Sequence, residues 1–223
     1  MSIETGPPGD MLAAHPETAY FWGRVAGDGD CREACVTVRT SDETAARRLG
    51  SIAGAELTDQ RIVERPYAHD TSITRQEEQY TVQVVGPLAE RASGALGLPF
   101  EGEAGGYRLD PLADYDRQLL RGLVEGCGTV CFKSGDGDSS EAVGLSFVHE
   151  SEGLLRTVQS LLDDIPVAAP YGELSETSSG YWFGIEDNAV PAVGEWCYEG
   201  SESSGLFAPS RRRKLRQSIE RVR

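Results

Sequence analysis

Lysine is nearly absent from this chain of 223 residues, which contains only Lys133 and Lys214. Aspartate and glutamate number 36 against 21 lysines and arginines, so the formal net charge is −15. An acidic, lysine-poor composition is typical of proteins from very salty cells, because carboxylates hold water and like charges oppose association. In a halophile this acidity does not argue against nucleic-acid binding, since molar salt screens charges over about 3 Å.

Long apolar runs are also missing. No stretch reaches the ~18 apolar residues that a transmembrane helix requires. Residues 1–10 lack the basic and apolar regions of a signal peptide. We therefore expect a cytoplasmic protein without a membrane partner, and in that compartment its five cysteines are reduced thiols rather than disulfides.

One glycine pattern, G-x-x-x-G-x-G, occurs twice, in residues 23–29 and in residues 122–128. Such self-similarity predicts two tandem copies of one structural unit. Glycines four residues apart share a helix face and let two helix backbones approach closely. The pattern predicts that two helices pack through four interface glycines: Gly23, Gly27, Gly122 and Gly126.

Both halves have the same predicted order of helix, strands, helix, strands and helix. This order predicts an α+β fold of two tandem pseudo-symmetric repeats packed through their motif helices, in a monomer with internal pseudo-twofold symmetry. The predicted segments are a flexible leader (1–14), repeat 1 (15–100), a glycine-rich linker (101–109), repeat 2 (110–202) and a basic C-terminal helix (203–223). Repeat 2 is predicted to begin with one helix running from Asp110 to Gly126.

The end of the chain is strongly basic. Residues 211–223 carry seven positive side chains and one negative one, while the rest of the chain carries a formal −21. Such a tail either folds back onto the acidic body or contacts phosphate backbones. Both interpretations remain open from the sequence.

The two glycine motifs resemble those of the LAGLIDADG homing-endonuclease family in its single-chain, two-repeat form. The better match is Leu120–Val130 (LRGLVEGCGTV), and the looser one is Phe21–Gly29 (FWGRVAGDG). The resemblance covers about residues 16–200. It implies two saddle-shaped sheets that straddle DNA, and an acidic residue at the foot of each motif helix that binds a divalent metal for phosphodiester hydrolysis.

By this resemblance, Asp28 takes the acidic position of repeat 1, whereas Cys127 stands where repeat 2 should have a carboxylate. A thiol does not replace an oxygen ligand for a hard cation such as Mg²⁺. The expectation is therefore a nuclease-inactive protein with a nucleic-acid-binding or regulatory role. The expected phosphate contacts lie in repeat 1 and the tail: Arg32, Arg39, Arg211, Arg212, Arg213, Lys214 and Arg216.

Two alternatives remain. Cys31, Cys35, Cys127 and Cys131 form two C-x₃-C pairs, whose thiolates could converge on zinc or an iron–sulfur cluster. The chain would then be a metal- or cofactor-handling accessory protein, and it also resembles uncharacterised halophile proteins associated with cobalamin-pathway gene clusters. In the second alternative, Asp28 shares a metal with Glu125, the other acidic residue of the motif, in an active Mg²⁺-dependent nuclease.

Overall fold

The structure, a computed structural model, describes residues 9–66, 74–133, 142–178 and 180–222. The first half contains α1 (Pro16–Asp28), β1 (Gly29–Arg32), β2 (Cys35–Thr40), α2 (Glu43–Ala53), β3 (Leu57–Pro66), β4 (Thr74–Val85) and α3 (Leu88–Leu96). The second half contains a 3-10 helix (Asp110–Tyr115), α4 (Asp116–Gly126), β5 (Gly128–Lys133), β6 (Ala142–His149), α5 (Glu152–Asp164), β7 (Ser175–Thr177), β8 (Gly180–Ile185), α6 (Val190–Tyr198), α7 (Ser201–Ser204) and α8 (Pro209–Val222).

Each half builds one four-stranded antiparallel sheet. The strand order is β1-β2-β4-β3 in the first, called sheet 1, and β5-β6-β8-β7 in the second, called sheet 2. The two orders are equivalent, and each sheet begins with the strand that directly follows a motif helix. The predicted α+β class with two related halves is confirmed.

The motif helices α1 and α4 pack against each other along their glycines. A Cβ atom on Gly23 would lie 2.3 Å from the carbonyl oxygen of Leu119, and one on Gly122 would lie 2.5 Å from that of Tyr20. One on Gly126 would lie 2.9 Å from the Cα of Gly27. The two backbones are therefore in direct contact, at a separation that excludes any side chain at these positions.

Sheet 1 has one apolar and one polar face. On β2, Val36 and Val38 are buried in the core, while Thr37 and Arg39 lie on the opposite side, as the two-residue period of a strand requires. Residues Tyr80 and Val82 of β4 form an apolar cluster with Ala46 of α2. The helices therefore cover one face, and the polar face of sheet 1 points away from them.

The stretch before α4 departs from the sequence prediction. Asp110–Tyr115 forms a 3-10 helix, and α4 begins at Asp116, so the predicted single helix is interrupted. The helix is interrupted at Tyr115, because the backbone φ of −122° and ψ of 42° at this residue are not helical. The interruption turns Leu112 into the core, where it is fully buried.

The predicted glycine-rich linker and part of the predicted flexible leader contact the body of the protein. In the linker, Tyr107 and Leu109 are buried, and Tyr107 has a left-handed φ of 44°. Of the leader, residues 1–8 lie outside the described residues. Within 9–14, Met11 accepts a hydrogen bond of 2.5 Å from the indole nitrogen of Trp22.

The C-terminal helix α8 folds back onto the body. Its Leu215 and Ile219 are buried, and their side chains lie against Gly194 of α6. At its start, the backbone nitrogen of Ser210 donates to the carboxylate of Asp42. Of the two interpretations of the basic tail, the structure has the docked one, and the exposed side of α8 keeps Arg213 and Lys214 at the surface.

None of the helices in the described ranges has the length and apolar character that a membrane crossing requires.

Candidate functional site: the feet of the paired helices

The two motif helices end side by side with different residues at equivalent positions. Asp28 is the last residue of α1 and is exposed, whereas Cys127 follows the last residue of α4 and is buried. The next residues, Gly29 and Gly128, begin β1 and β5. A Cβ on Gly27 would lie 2.9 Å from the backbone nitrogen of Cys127, so the two feet are in contact.

Cys127 is a buried, protonated thiol. Its Sγ donates a hydrogen bond of 3.4 Å to the carbonyl oxygen of Leu123. Burial, followed by the negative charge of Asp28, raises the pKa of this thiol to about 12. Because metals bind the thiolate and hard cations prefer oxygen, Cys127 does not fit the divalent-metal site that the resemblance implies.

Glu125 is engaged by the protein itself. Its Oε2 accepts a hydrogen bond of 2.6 Å from the Tyr20 hydroxyl, while its Oε1 accepts bonds of 3.0 Å from Tyr198 and 2.8 Å from the Ala208 backbone nitrogen. Burial raises the pKa of this carboxyl against the opposing effect of Arg24 and these donors. A carboxylate with both oxygens occupied and 1% exposure is a structural group. A metal shared by Glu125 and Asp28 would have to displace these donors, and the sharing stays a prediction.

Arg24 supplies a buried positive charge at the same level of α1. Its Nη1 lies 3.7 Å from Oε2 of Glu125, and its Nη2 donates 2.9 Å to the carbonyl oxygen of Arg39 on β2. The side chain is only 2% exposed. Arg24 therefore joins the carboxylate of one half to the sheet of the other, although the hydrogen-bond geometry favours the tyrosines as the main partners of Glu125.

A cavity of about 250 Å³ opens beside the foot of α1, toward the polar face of sheet 1. Asp28, Arg39 and Gln79 line it together with Arg211 and Lys214 of α8. The Nη1 of Arg211 donates 3.5 Å to the carbonyl oxygen of Gly128, and burial, then the charge of Arg24, lowers the pKa of Arg211. Helix α8 thus delivers cationic side chains to the place where the helices end.

The four cysteines of the predicted thiolate centre are not assembled into one. In the described ranges, no group of three or more histidine, cysteine, aspartate or glutamate side chains is arranged to hold a metal ion. Cys31 is buried in β1, Cys35 contacts the Thr37 hydroxyl on β2, and Cys131 is exposed on β5. The hairpin of β1 and β2 pairs Cys31 with Val36 and Cys35 with Arg32, so these two cysteines lie on opposite faces. Cys127 follows the end of α4, whereas Cys131 lies within β5.

The predicted phosphate-binding residues have different surroundings. Arg32 pairs with Asp30, Arg212 with Glu202, and Arg216 with Glu220, at distances of 2.7, 2.6 and 2.9 Å. Arg39 is half-buried at the cavity, and Arg213 and Lys214 are exposed on α8. Exposed pairs contribute little free energy, so Arg32 and Arg216 can exchange their partners for phosphate.

The buried network around Glu125 was not predicted from the sequence. Neither Tyr20 nor Arg121 had a predicted role in it. The structure buries Arg121, which donates to the carbonyl oxygens of Cys197, Leu206 and Glu199 and so fixes the segment that leads into α8. A signal was available for Glu125, because a residue three positions after Gly122 lies on the same helix face.

Comparison with known proteins gives one match over the full length. A LAGLIDADG family model described as "Putative archaeal homing endonuclease" matches residues 1–223. No curated protein matches the chain. Among solved structures, I-DmoI in complex with DNA and Mn is similar at 15% identity and a TM-score of 0.46, over 79% of this chain and 91% of that one.

A variant of I-DmoI in complex with its target DNA in the presence of Mg has the same identity and TM-score, over 77% and 89% of the two chains. The family assignment depends on the family model, which extends over every residue of the chain. The chain belongs to the LAGLIDADG homing-endonuclease family.

Proposed function

We propose that this protein binds nucleic acid as a nuclease-inactive member of its family, with a regulatory rather than a cleaving role. The observation that carries the proposal is the difference between the two helix feet, Asp28 in one half and the buried Cys127 in the other. Metal-assisted phosphoryl transfer with two ions clamps the attacking and the leaving oxygen at once. One carboxylate beside a protonated thiol does not supply that clamp.

Binding is assigned to the polar face of sheet 1. By strand register, Arg39 lies opposite Thr81, Arg61 lies opposite Gln79, and Asp30 lies opposite Thr37. This face offers arginines among neutral polar side chains, which suits contacts to phosphate and sugar, and it also carries carboxylates such as Asp30 and Glu77. Helix α8 adds Arg211 and the exposed Lys214 at the same cavity, and Arg213 is exposed on the same helix.

The thiolate alternative has no support in the arrangement of the cysteines. Three of the five, Cys31, Cys127 and Cys197, have a thiol pKa raised to about 12 by burial. Nothing in the described residues favours a cofactor of the cobalamin pathway. Nucleic-acid binding is therefore the function that we test.

The binding test uses the full chain and a labelled DNA duplex of arbitrary sequence. Fluorescence anisotropy across a series of salt concentrations is expected to give an affinity that falls linearly on a double-logarithmic plot. The double substitution Arg39→Gln/Arg61→Gln is expected to reduce that slope by roughly 2. Arg156→Gln, on an exposed arginine of α5, is the matched control and leaves the slope unchanged. Absence of binding would overturn the proposal.

The cleavage test uses supercoiled plasmid with Mg²⁺ or Mn²⁺ and the same protein preparation. We expect the plasmid to remain intact over the range of concentrations at which the protein binds DNA. Cleavage by the wild-type protein that is lost on Asp28→Asn would show an active nuclease. That result would refute the inactive assignment while leaving DNA binding in place.

A further inference from the structure

The outward face of sheet 2 differs in chemistry from that of sheet 1. By register, Cys131 lies opposite Gly144, Ser146 opposite Gly184, and Val148 opposite Trp182. We call this surface the tryptophan groove, defined by Cys131, Lys133, Gly144, Ser146, Trp182 and Gly184, with a volume of about 330 Å³. Its charged groups are Lys133 and, at the rim, Glu186 and Asp187.

Trp182 is an exposed aromatic side chain whose ring lies over a glycine. It is 40% exposed, whereas its strand neighbours Phe183 and Tyr181 are buried and half-buried. A Cβ on Gly184 would lie 3.3 and 3.5 Å from Cζ2 and Cη2 of the indole, so the six-membered ring contacts the backbone of Gly184. The glycine lets the ring lie close to the sheet, which leaves the rest of the indole open to a ligand.

A positive charge lies at the other end of the groove. A Cβ on Gly144 would lie 3.0 Å from Cε and 3.6 Å from Nζ of Lys133, so the lysine stem crosses that glycine. The ammonium lies against Gly144 and the indole against Gly184. These two glycines are one strand and two residues apart, so strand spacing and rise place their backbones about 8 Å from each other. The ammonium pairs with Asp187 at 2.7 Å in an exposed ion pair, which a phosphate can replace at little cost.

A flat aromatic ring with an ammonium nearby matches the two parts of a nucleotide, its base and its phosphate. Every base has a π-face that stacks on an aromatic side chain, whereas in a duplex that face is covered by the neighbouring base pairs. A base can therefore stack on a protein side chain only where it is unpaired. A wholly apolar partner would not explain the lysine and its exchangeable pair.

We propose that the tryptophan groove binds an unpaired nucleobase, stacked on Trp182, with the adjoining phosphate at Lys133. The inference rests on the proposed nucleic-acid function and names the part of the ligand that sheet 2 contacts. Sheet 1 then holds the backbone through arginines, while sheet 2 holds a base that has left the duplex or never belonged to one.

The chain provides its own optical reporter for this contact. It has three tryptophans, of which Trp22 is fully buried and Trp196 is 8% exposed. Because Trp182 is the exposed tryptophan of the three, quenching of tryptophan fluorescence by a stacked base reports on Trp182. Titration with oligothymidylate, which does not pair with itself, is expected to quench this emission in a saturable way, and a duplex of the same length is expected to quench it much less.

The variant Trp182→Leu is expected to lose the quenching and to weaken binding of oligothymidylate at least tenfold, because stacking on one aromatic ring contributes that much to single-strand affinity. Trp182→Phe keeps a smaller platform and retains most of the affinity. Ile62→Ala removes an exposed apolar side chain of β3 that strand alternation places on the face opposite to Arg61, and it serves as the control without effect.

Two outcomes would overturn the inference and leave the proposed function in place, and a third would overturn both. In the first, duplex DNA binds, but oligothymidylate does not quench the tryptophan fluorescence and binds the wild type and Trp182→Leu equally well. Sheet 1 then functions alone, and the groove has another role. Concentration-dependent dimerisation that Trp182→Leu abolishes, without an effect on oligonucleotides, would assign the groove to a second copy of the chain. If no nucleic acid binds at all, both proposals are wrong.

Discussion

At the level of single residues, the carboxylate of Glu125 connects three parts of the chain. It accepts hydrogen bonds from Tyr20 on α1, from Tyr198 at the end of α6 and from Ala208 before α8. Arg24 adds a buried opposite charge. Because each partner is itself buried, loss of the carboxylate leaves several polar groups without compensation.

We expect Glu125→Ala to lower the free energy of unfolding by about 3–5 kcal/mol, the range for removing one partner of a buried charge pair. Urea unfolding followed by circular dichroism measures the loss. Glu90→Ala, on the exposed side of α3, is the control and should change stability by less than about 0.5 kcal/mol. Equal stabilities of the two variants would show that the network is not coupled to folding.

The raised pKa of Glu125 also gives a pH dependence with a definite sign. The folded state holds the proton of this carboxyl more tightly than the unfolded state, whose pKa is near 4.5. Wild-type stability from this group is therefore complete below pH 4.5 and is lost as the pH rises through the raised folded pKa. The stability lost on Glu125→Gln should be greatest at low pH and should shrink as the pH increases. A difference that grows with pH would contradict this assignment.

Thiol reactivity separates the cysteines by burial. Cys131 is exposed and Cys35 half-buried, whereas burial raises the pKa of Cys31, Cys127 and Cys197 to about 12. At pH 8, a disulfide reagent such as DTNB should label Cys131 fast, Cys35 more slowly and the other three after unfolding. Cys131→Ser should abolish the fast phase. Rapid labelling of all five thiols would show that the helix feet are open to solvent.

The sequence predicted part of this site. Alignment of the two glycine motifs identified Asp28 and Cys127 as equivalent residues, since all three glycines of one motif match those of the other. It did not connect Glu125 with Tyr198, because the contact spans 73 residues and depends on how α6 packs. It failed for the cysteine pairs, where spacing along the chain does not reveal which face of a strand each residue occupies.

At the level of elements, the crossing of α1 and α4 is the tightest contact between the halves. The helix backbones meet at Gly23 and Gly122, with a Cβ on Gly122 only 2.8 Å from the backbone nitrogen of Arg24. An added Cβ would meet the main chain of the facing helix, which cannot move aside as a flexible side chain could. The two sheets are therefore held at a fixed distance by four residues that have no side chains.

Gly122→Ala should separate the helices and lower the free energy of unfolding by about 1–3 kcal/mol, as overpacking of a core does. Gly94→Ala is the matched control, because Gly94 lies in α3 with nothing within 4 Å of the added Cβ. That change should stabilise by about 0.5–1 kcal/mol through its higher helix propensity. Thermal unfolding of both variants measures the difference, and similar shifts would mean that the crossing tolerates a side chain.

The order of the elements was predictable from the sequence because hydrophobic periodicity and caps mark each one. Asp42 and Ser151 cap α2 and α5 through their side chains, as their residue types indicate. The break before α4 was not predictable, since the helix pattern continues through Tyr115. The packed linker was missed for a related reason: glycine content indicates conformational freedom but does not say what the backbone contacts.

At the level of the whole molecule, an acidic body carries a basic helix. Residues 211–223 hold a formal +6 against −21 elsewhere, and the docking of α8 brings part of that charge to the helix feet. The remaining negative charge repels itself in the compact state. Since exposed ion pairs contribute little each, we expect the self-repulsion of a net −15 to outweigh them.

Increasing KCl from low to molar concentration should therefore raise the melting temperature, because screening relieves the repulsion more than it weakens surface pairs. Differential scanning fluorimetry measures the shift. Sucrose at matched osmolality is the control for preferential hydration. A melting temperature that falls with salt would show that ion pairs dominate. Nucleic-acid affinity should change in the opposite direction over the same range.

The unlike sheets have a consequence for how a ligand lies on the protein. In a dimer of two identical single-repeat chains, any substitution in one half also occurs in the other. Both ends of a bound ligand then meet the same surface. Fusion of the repeats removes that constraint, and here Asp28 is matched by Cys127 and an arginine face by an aromatic one. If the protein binds nucleic acid as proposed, we expect a polymer with two distinguishable ends to fit in one direction and not in the reverse.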